Sequence, residues 1–170
     1  VANRSAHKKG WDERWEEFSD WAEKGEDLRK QLLLLVDADT RAFDSIMAAF
    51  GLPKSTDAEK SIRTQAIQNA TKLAMEVPLQ VMRLCLQSMD VIEAMANNGN
   101  PNSVSDAGVG ALCARTAVLG AFMNVRINAA GCTDAAFVRR VLEEGSQMEK
   151  EAVIKEERIR KVVDQQIDKL

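Results

Sequence analysis

Tyrosine is missing from this 170-residue chain, and only one histidine, three prolines and three cysteines occur in it. Each scarcity excludes something. The single histidine, His7, has no nearby acid or nucleophile in sequence, so a Ser/His/Asp or Cys/His catalytic arrangement is not expected. Three cysteines, Cys85, Cys113 and Cys132, are an odd number in helical contexts, which reads as reduced, buried, small apolar residues and not as a disulfide framework. No Cys/His spacing matches a zinc site, so no metal is expected. Few prolines leave little to interrupt helices, and aromatics make up only 5%. Neither sign of charge dominates: the formal net charge is −3, which gives no basic field for nucleic acid or an anionic membrane. No apolar run is expected to reach membrane-spanning length, and no secretory signal is visible, which points to a cytoplasmic protein. The first residue is Val and not Met, so the chain reads as a processed, truncated or excised piece of something longer.

What remains is 45% hydrophobic and 29% charged, rich in Ala, Leu, Met, Glu, Lys and Gln, a composition for one helical domain over residues 1–170. Trp11, Trp15, Phe18, Trp21, Leu28 and Leu32 recur at helical spacing, and nothing breaks the pattern before Gly51-Leu52-Pro53. A helix of nearly forty residues follows. Thr56 and Glu59 form a capping box for the next helix, which meets Pro78 in its interior and is kinked or broken there. Asn97-Asn98-Gly99-Asn100-Pro101 closes it. Ser103 or Ser105 caps a third helix whose small residues (Gly108, Gly110, Ala114, Ala117, Gly120) suit a central, fully packed position. Thr133-Asp134 caps a last, increasingly charged helix. The expected fold is all-α, an antiparallel bundle of long helices.

The candidate chemistry starts from Leu32-Leu33-Leu34-Leu35-Val36-Asp37-Ala38-Asp39, where two acids interrupt an apolar run. At about 100° per residue, Asp39 shares a face with Leu32, Leu35, Phe43, Ile46 and Phe50, while Asp37 falls on the flank of Arg41. Asp37 is expected to pair with Arg41, and Asp39 to point toward the core, where a carboxylate must be hydrogen-bonded or raised in pKa. Both outcomes suit a general acid or base, against a purely structural acid. Asn124 and Asn128 lie one turn apart on an apolar helix and need partners, either a network between helices or a ligand. Asp106 reads as a dipole-matched cap, and Lys8 and Lys9 as a solvated basic pair that could attract an anionic group. Trp11, Trp15 and Trp21 read as core or interface residues before a stacking platform. Gly108-Val109-Gly110 lacks the third glycine and the preceding strand of a nucleotide loop, so close helix packing accounts for it.

Several motifs in order resemble one family. Leu34-Leu35-Val36-Asp37-Ala38-Asp39-Thr40-Arg41-Ala42-Phe43, Gly51-Leu52-Pro53-Lys54, Ala74-Met75-Glu76-Val77-Pro78-Leu79, Gly99-Asn100, Ser105-Asp106 and Gly120-Ala121-Phe122-Met123-Asn124-Val125-Arg126-Ile127-Asn128 are similar to the cyclodeaminase domain of formiminotransferase-cyclodeaminase. The likeness covers about residues 1–140. It implies a helical, dimeric, cytoplasmic ammonia-lyase of histidine degradation and one-carbon metabolism. Such an enzyme converts 5-formiminotetrahydrofolate to 5,10-methenyltetrahydrofolate and ammonia, with tetrahydrofolate as carrier of the reacting group and no metal. The resemblance makes Asp39 the proton donor. It makes Asp106, Asn124 and Asn128 candidates to bind the pterin or orient Asp39, and Lys8 and Lys9 candidates for the glutamate tail. A methenyltetrahydrofolate cyclohydrolase of the same family is the alternative, and an inactive helical dimer or scaffold is another; a formiminotransferase domain or subunit is a possible partner. The family's domain opens with a glycine-rich segment and an alanine-rich helix that have no counterpart here. A helix of the bundle and part of the site are therefore expected to be missing, which would expose the small-residue helix. His7 also stands where the family usually has glycine.

Overall fold

The computed structural model describes residues 1–169; the end of the expected domain at Leu170 lies outside them. Among the described residues there are five α-helices and no strand: α1 Ala2–Ala6, α2 Trp15–Phe50, α3 Asp57–Asn98, α4 Val104–Ala129 and α5 Ala135–Ile167. Local signals account for the boundaries. Thr56 accepts from the Glu59 N–H while Glu59 accepts from the Thr56 N–H, the expected capping box. Asp134 accepts from the Phe137 N–H and starts α5. α2 is entered through a 3-10 turn at Asp12–Arg14, and Gly10 takes a positive φ of 84° where the chain reverses from α1. Pro78 does not break α3, which runs through it for 42 residues.

Helices α3, α4 and α5 form the core. Met75, Leu79, Met82 and Met89 of α3 are fully buried against Ala111, Val118 and Val125 of α4 and Val141, Ala152 and Ile159 of α5. Each of these larger side chains contributes about 1.5–3 kcal/mol by leaving water. α4 runs antiparallel to both neighbours: Gly110 lies against Ile92, and Gly108 against Val163. The glycine pair is thus a packing device, with a Cβ at Gly108 coming 3.1 Å from Val163. α5 runs parallel to α3 and is tied to it by Lys72–Asp134, Arg83–Glu144, Lys155–Asp90 and Arg158–Glu93 ion pairs.

α2 leans on this core mainly through α3, with Phe18 and Leu28 buried at one end and Ala42 and Ala49 at the other. α1 folds back beside it, and Trp11 stacks on Phe18 with centroids 5.5 Å apart. Trp15 is exposed, so the three tryptophans do not share one role.

Four expectations change at this level. α4 is central but not fully packed: Val109, Leu112, Met123 and Ile127 are exposed along one face. Its segment Pro101–Ala129 is also long and apolar enough, by length and composition, to cross a membrane. Alanine and glycine raise its hydropathy without making it bulky, and in this fold it lies between α3 and α5. Only Cys85 is buried; Cys113 is exposed and Cys132 half-buried, all three free. Neither Ser103 nor Ser105 caps α4 through its side chain, and the buried Ser103 hydroxyl has no partner among the described residues.

Candidate functional site

Because α2 and α4 both pack on α3 yet hardly touch each other, they form the walls of an open trough with α3 as its floor. Their register follows from contacts. Gly25 of α2 lies against Val91, and Gly110 of α4 against Ile92, so Asp106 stands level with Trp21. At the other end Asn128 donates to the Ala74 carbonyl of α3, 3.1 Å away. Carried along α3 at about 1.5 Å per residue, the same register sets Asp39 level with Val77 of α3 and with the Asn124–Asn128 turn of α4.

The trough therefore has two ends. One is an open hollow of about 840 Å³ lined by Val1, Trp21, Gly25, Ile92 and Asp106. At the other, Asp39 on α2 and the Asn124–Asn128 turn on α4 stand level by register. Between them a groove along α2 is lined by Leu28, Leu32, Leu33 and Val36, with Ser88 of α3 opposite. Asp39 follows Val36 by one turn on the same edge.

Asp39 does not point into the core. It is exposed, as are Val36 (63%) and Phe43 (62%) beside it. The helical wheel placed it correctly among apolar neighbours, but α2 buries only a narrow strip against α3, and that strip shifts around the helix along its length. Near residue 39 it passes through Leu35, Ala38 and Ala42, leaving Asp39 on the trough-side margin. Asp37 is exposed too, and neither it nor Arg41 enters an ion pair among the described residues.

Asn128 is half-buried and its amide nitrogen donates twice, to the Ala74 carbonyl and to the Asn124 carbonyl at 3.0 Å. The first bond is the inter-helix network that the sequence leaves as one of two options. Asn124 is exposed on the same face. Asp106 lies about 28 Å along the trough from the level of Asp39, so the fold does not bring those two acids together. Lys8 and Lys9 are farther still. Lys8 Nζ sits 4.1 Å from the Trp11 ring centroid, before α2 begins, and Trp15 to Asp39 alone spans about 36 Å of helix. Within one chain, Asp39 thus keeps only Asn124 and Asn128 of its expected companions. No cluster of three or more His, Cys, Asp or Glu placed to hold a metal ion occurs among the described residues.

Sequence reasoning missed the groove residues Leu33, Val36 and Ser88, because their placement depends on how α2 lies on α3. It also missed Glu156, a fully buried carboxylate held by Arg115 and Arg160 on the far side of α4.

The comparisons with known proteins agree with this architecture. The family model described as formiminotransferase-cyclodeaminase matches residues 1–147. A methenyltetrahydrofolate cyclohydrolase of Methylorubrum extorquens is 39% identical over 168 residues, covering 99% of this chain and 81% of that protein. The formimidoyltransferase-cyclodeaminase of Gallus gallus is 40% identical over 124 residues, which is 69% of this chain but only 23% of that longer protein. The crystal structure of formiminotetrahydrofolate cyclodeaminase from Thermotoga maritima superposes with a TM-score of 0.84 at 29% identity, covering 98% of this chain and 79% of that one. The chain belongs to the formiminotransferase-cyclodeaminase family.

Proposed function

We propose that this member of the formiminotransferase-cyclodeaminase family is a methenyltetrahydrofolate cyclohydrolase, with formimidoyltetrahydrofolate cyclodeaminase as the second reading. The observation that carries the choice is the 39% identity to a methenyltetrahydrofolate cyclohydrolase over 99% of the chain. It reverses the order that the sequence motifs suggest. The cyclodeaminase reading keeps the support of the Thermotoga likeness, at 29% identity over 98% of the chain.

The two reactions share a centre. In the hydrolysis, water adds to the methenyl carbon between N5 and N10 and loses a proton. The bond from that carbon to N5 then breaks as the hydroxyl gives up its second proton to become the formyl oxygen on N10, and N5 takes up a proton. In the deamination, N10 adds to the formimino carbon and the C–N bond to the former imino nitrogen breaks, releasing ammonia once that nitrogen is protonated. Both need a proton delivered to a departing nitrogen on a tetrahedral carbon. Asp39 supplies it in this reading. A folate laid in the trough would take water from around Asp39 and set its carboxyl beside the departing nitrogen. Asn124 and Asn128 face the same pterin, and tetrahydrofolate is the carrier within the substrate.

Asp106, Lys8 and Lys9 lie too far along the chain to meet the reacting carbon. Lys8 and Lys9 keep only the role of attracting the anionic glutamate tail, and Asp106, itself an acid, is given no contact with it. The active form in this reading is a homodimer or higher homo-oligomer, because Val36, Phe43, Met47 and Phe50 leave an apolar strip of α2 exposed in the single chain. A cytoplasmic location goes with this reading, as the family resemblance implies. A formiminotransferase domain or subunit is a partner only under the cyclodeaminase reading.

Purified protein supplied separately with 5,10-methenyltetrahydrofolate and 5-formiminotetrahydrofolate decides between the readings. Loss of methenyl absorbance from the first supports the hydrolase. Gain of methenyl absorbance with ammonia from the second establishes the cyclodeaminase. Turnover of neither, with no reduced folate bound, leaves the inactive scaffold.

A further inference from the structure

A proline inside a helix withholds one hydrogen bond at a definable place. Pro78 has no N–H, so the carbonyl four residues earlier, that of Ala74, lacks its helical donor. Ala74 is 8% exposed, where an unpaired carbonyl is costly. The missing donor comes from another helix: Asn128 Nδ2 donates to Ala74 O at 3.1 Å and to Asn124 O at 3.0 Å. Two carbonyls on one side of the amide also decide its orientation, because the oxygen turned that way would face two other oxygens. Asn128 Oδ1 is consequently turned away from both, and it accepts no hydrogen bond among the described residues. By register it stands within one turn of the level of Asp39.

We propose that Pro78 is a positioning residue of the site: it frees the Ala74 carbonyl, which anchors the Asn128 amide with Oδ1 presented to the trough as a fixed acceptor for an N–H of the bound pterin. The ligand half rests on the folate reading above. The positioning half rests on the geometry alone. Pro78→Ala restores an N–H that competes for Ala74 O within α3, so Asn128 loses its bond to α3 and keeps only the one to Asn124 O, although neither Asn128 nor Asp39 is altered. A proline kept in a buried helix is normally destabilising, so this substitution is expected to preserve or raise Tm.

Two measurements on the full chain test this. In the first, the Asn128 side-chain amide is followed by NMR without ligand. Its protons are expected to exchange slowly in the wild type and to lose protection at least tenfold in Pro78→Ala; equal protection in both overturns the positioning role. In the second, binding of 5-formyltetrahydrofolate, a stable reduced folate, is titrated by calorimetry. Pro78→Ala and Asn128→Ala should each weaken it by about tenfold, the scale of one hydrogen bond, and the double variant no more than either alone. Additive losses, or wild-type affinity in Pro78→Ala, overturn the proposal. Failure of the wild type to bind, with the exchange result intact, overturns the folate reading and the acceptor role while leaving the Pro78–Asn128 link standing.

Discussion

Arg115 Nη1 lies 2.8 Å from Glu156 Oε2, and Glu156 has no exposed surface. Burial works against the charge of Glu156, but hydrogen bonds from Arg160 and Arg115, with their charges, outweigh it and hold the carboxyl below its ordinary value. The folded state therefore favours the ionised form. That contribution is complete above the ordinary glutamate value of 4.5 and is lost as pH falls through the lower folded value. Denaturation at pH 7 should show Glu156→Gln less stable than the wild type, with the gap closing below pH 4.5; a gap that is constant with pH contradicts the assignment. Arg115→Ala, which leaves the buried carboxylate with one partner, should cost about 1–3 kcal/mol.

Asp39 is exposed, and no side chain depends on it in the fold. Asp39→Asn should therefore leave Tm within about a degree of the wild type, as surface substitutions do. Turnover of the preferred folate should fall by about 100-fold or more, the share of a positioned general acid. Folate absorbance kinetics check this, and a variant with normal turnover removes Asp39 from the mechanism.

At Gly145 the α4–α5 contact leaves no room for a side chain, since an added Cβ would run into the edge of the Phe122 ring. Phe122 is itself buried and cannot swing clear. Gly145→Ala should lower stability by about 1–3 kcal/mol through overpacking, despite the better helix propensity of alanine. Chemical denaturation monitored by circular dichroism reads it out.

The exposed strip of Val36, Phe43, Met47 and Phe50 should hold two or more copies together. Analytical ultracentrifugation is expected to give a mass of at least twice the 18.8 kDa chain, and Phe43→Glu to shift the distribution toward monomer. A wild-type monomer at micromolar concentration would refute the oligomeric form of the proposal.

Much of the fold was legible because its signals are local. The Thr56–Glu59 box, the Asp134 cap and the Asn97–Pro101 break each involve groups within a few residues of one another, so spacing alone shows them. The candidate site was legible in part for the same reason: Asp39 stands out in a leucine run, and Asn124 and Asn128 share a helical face. Membership of the family was also readable from motifs in order. Where Asp39 points was not, because a helical wheel tells which residues share a face and not how wide a strip the neighbouring helix covers.

The sequence by itself determined the helices, their ends and the small-residue contacts that let α4 approach its neighbours, since backbone hydrogen bonding and side-chain size act over a turn or two. Only the tertiary structure decided that α2 leans on the core mainly through α3, that Asp39 lies level with the Asn124–Asn128 turn while Asp106 and the lysines lie far from it, and that a carbonyl released by Pro78 is taken up by Asn128. Those relations join residues dozens of positions apart, and packing between whole helices sets them.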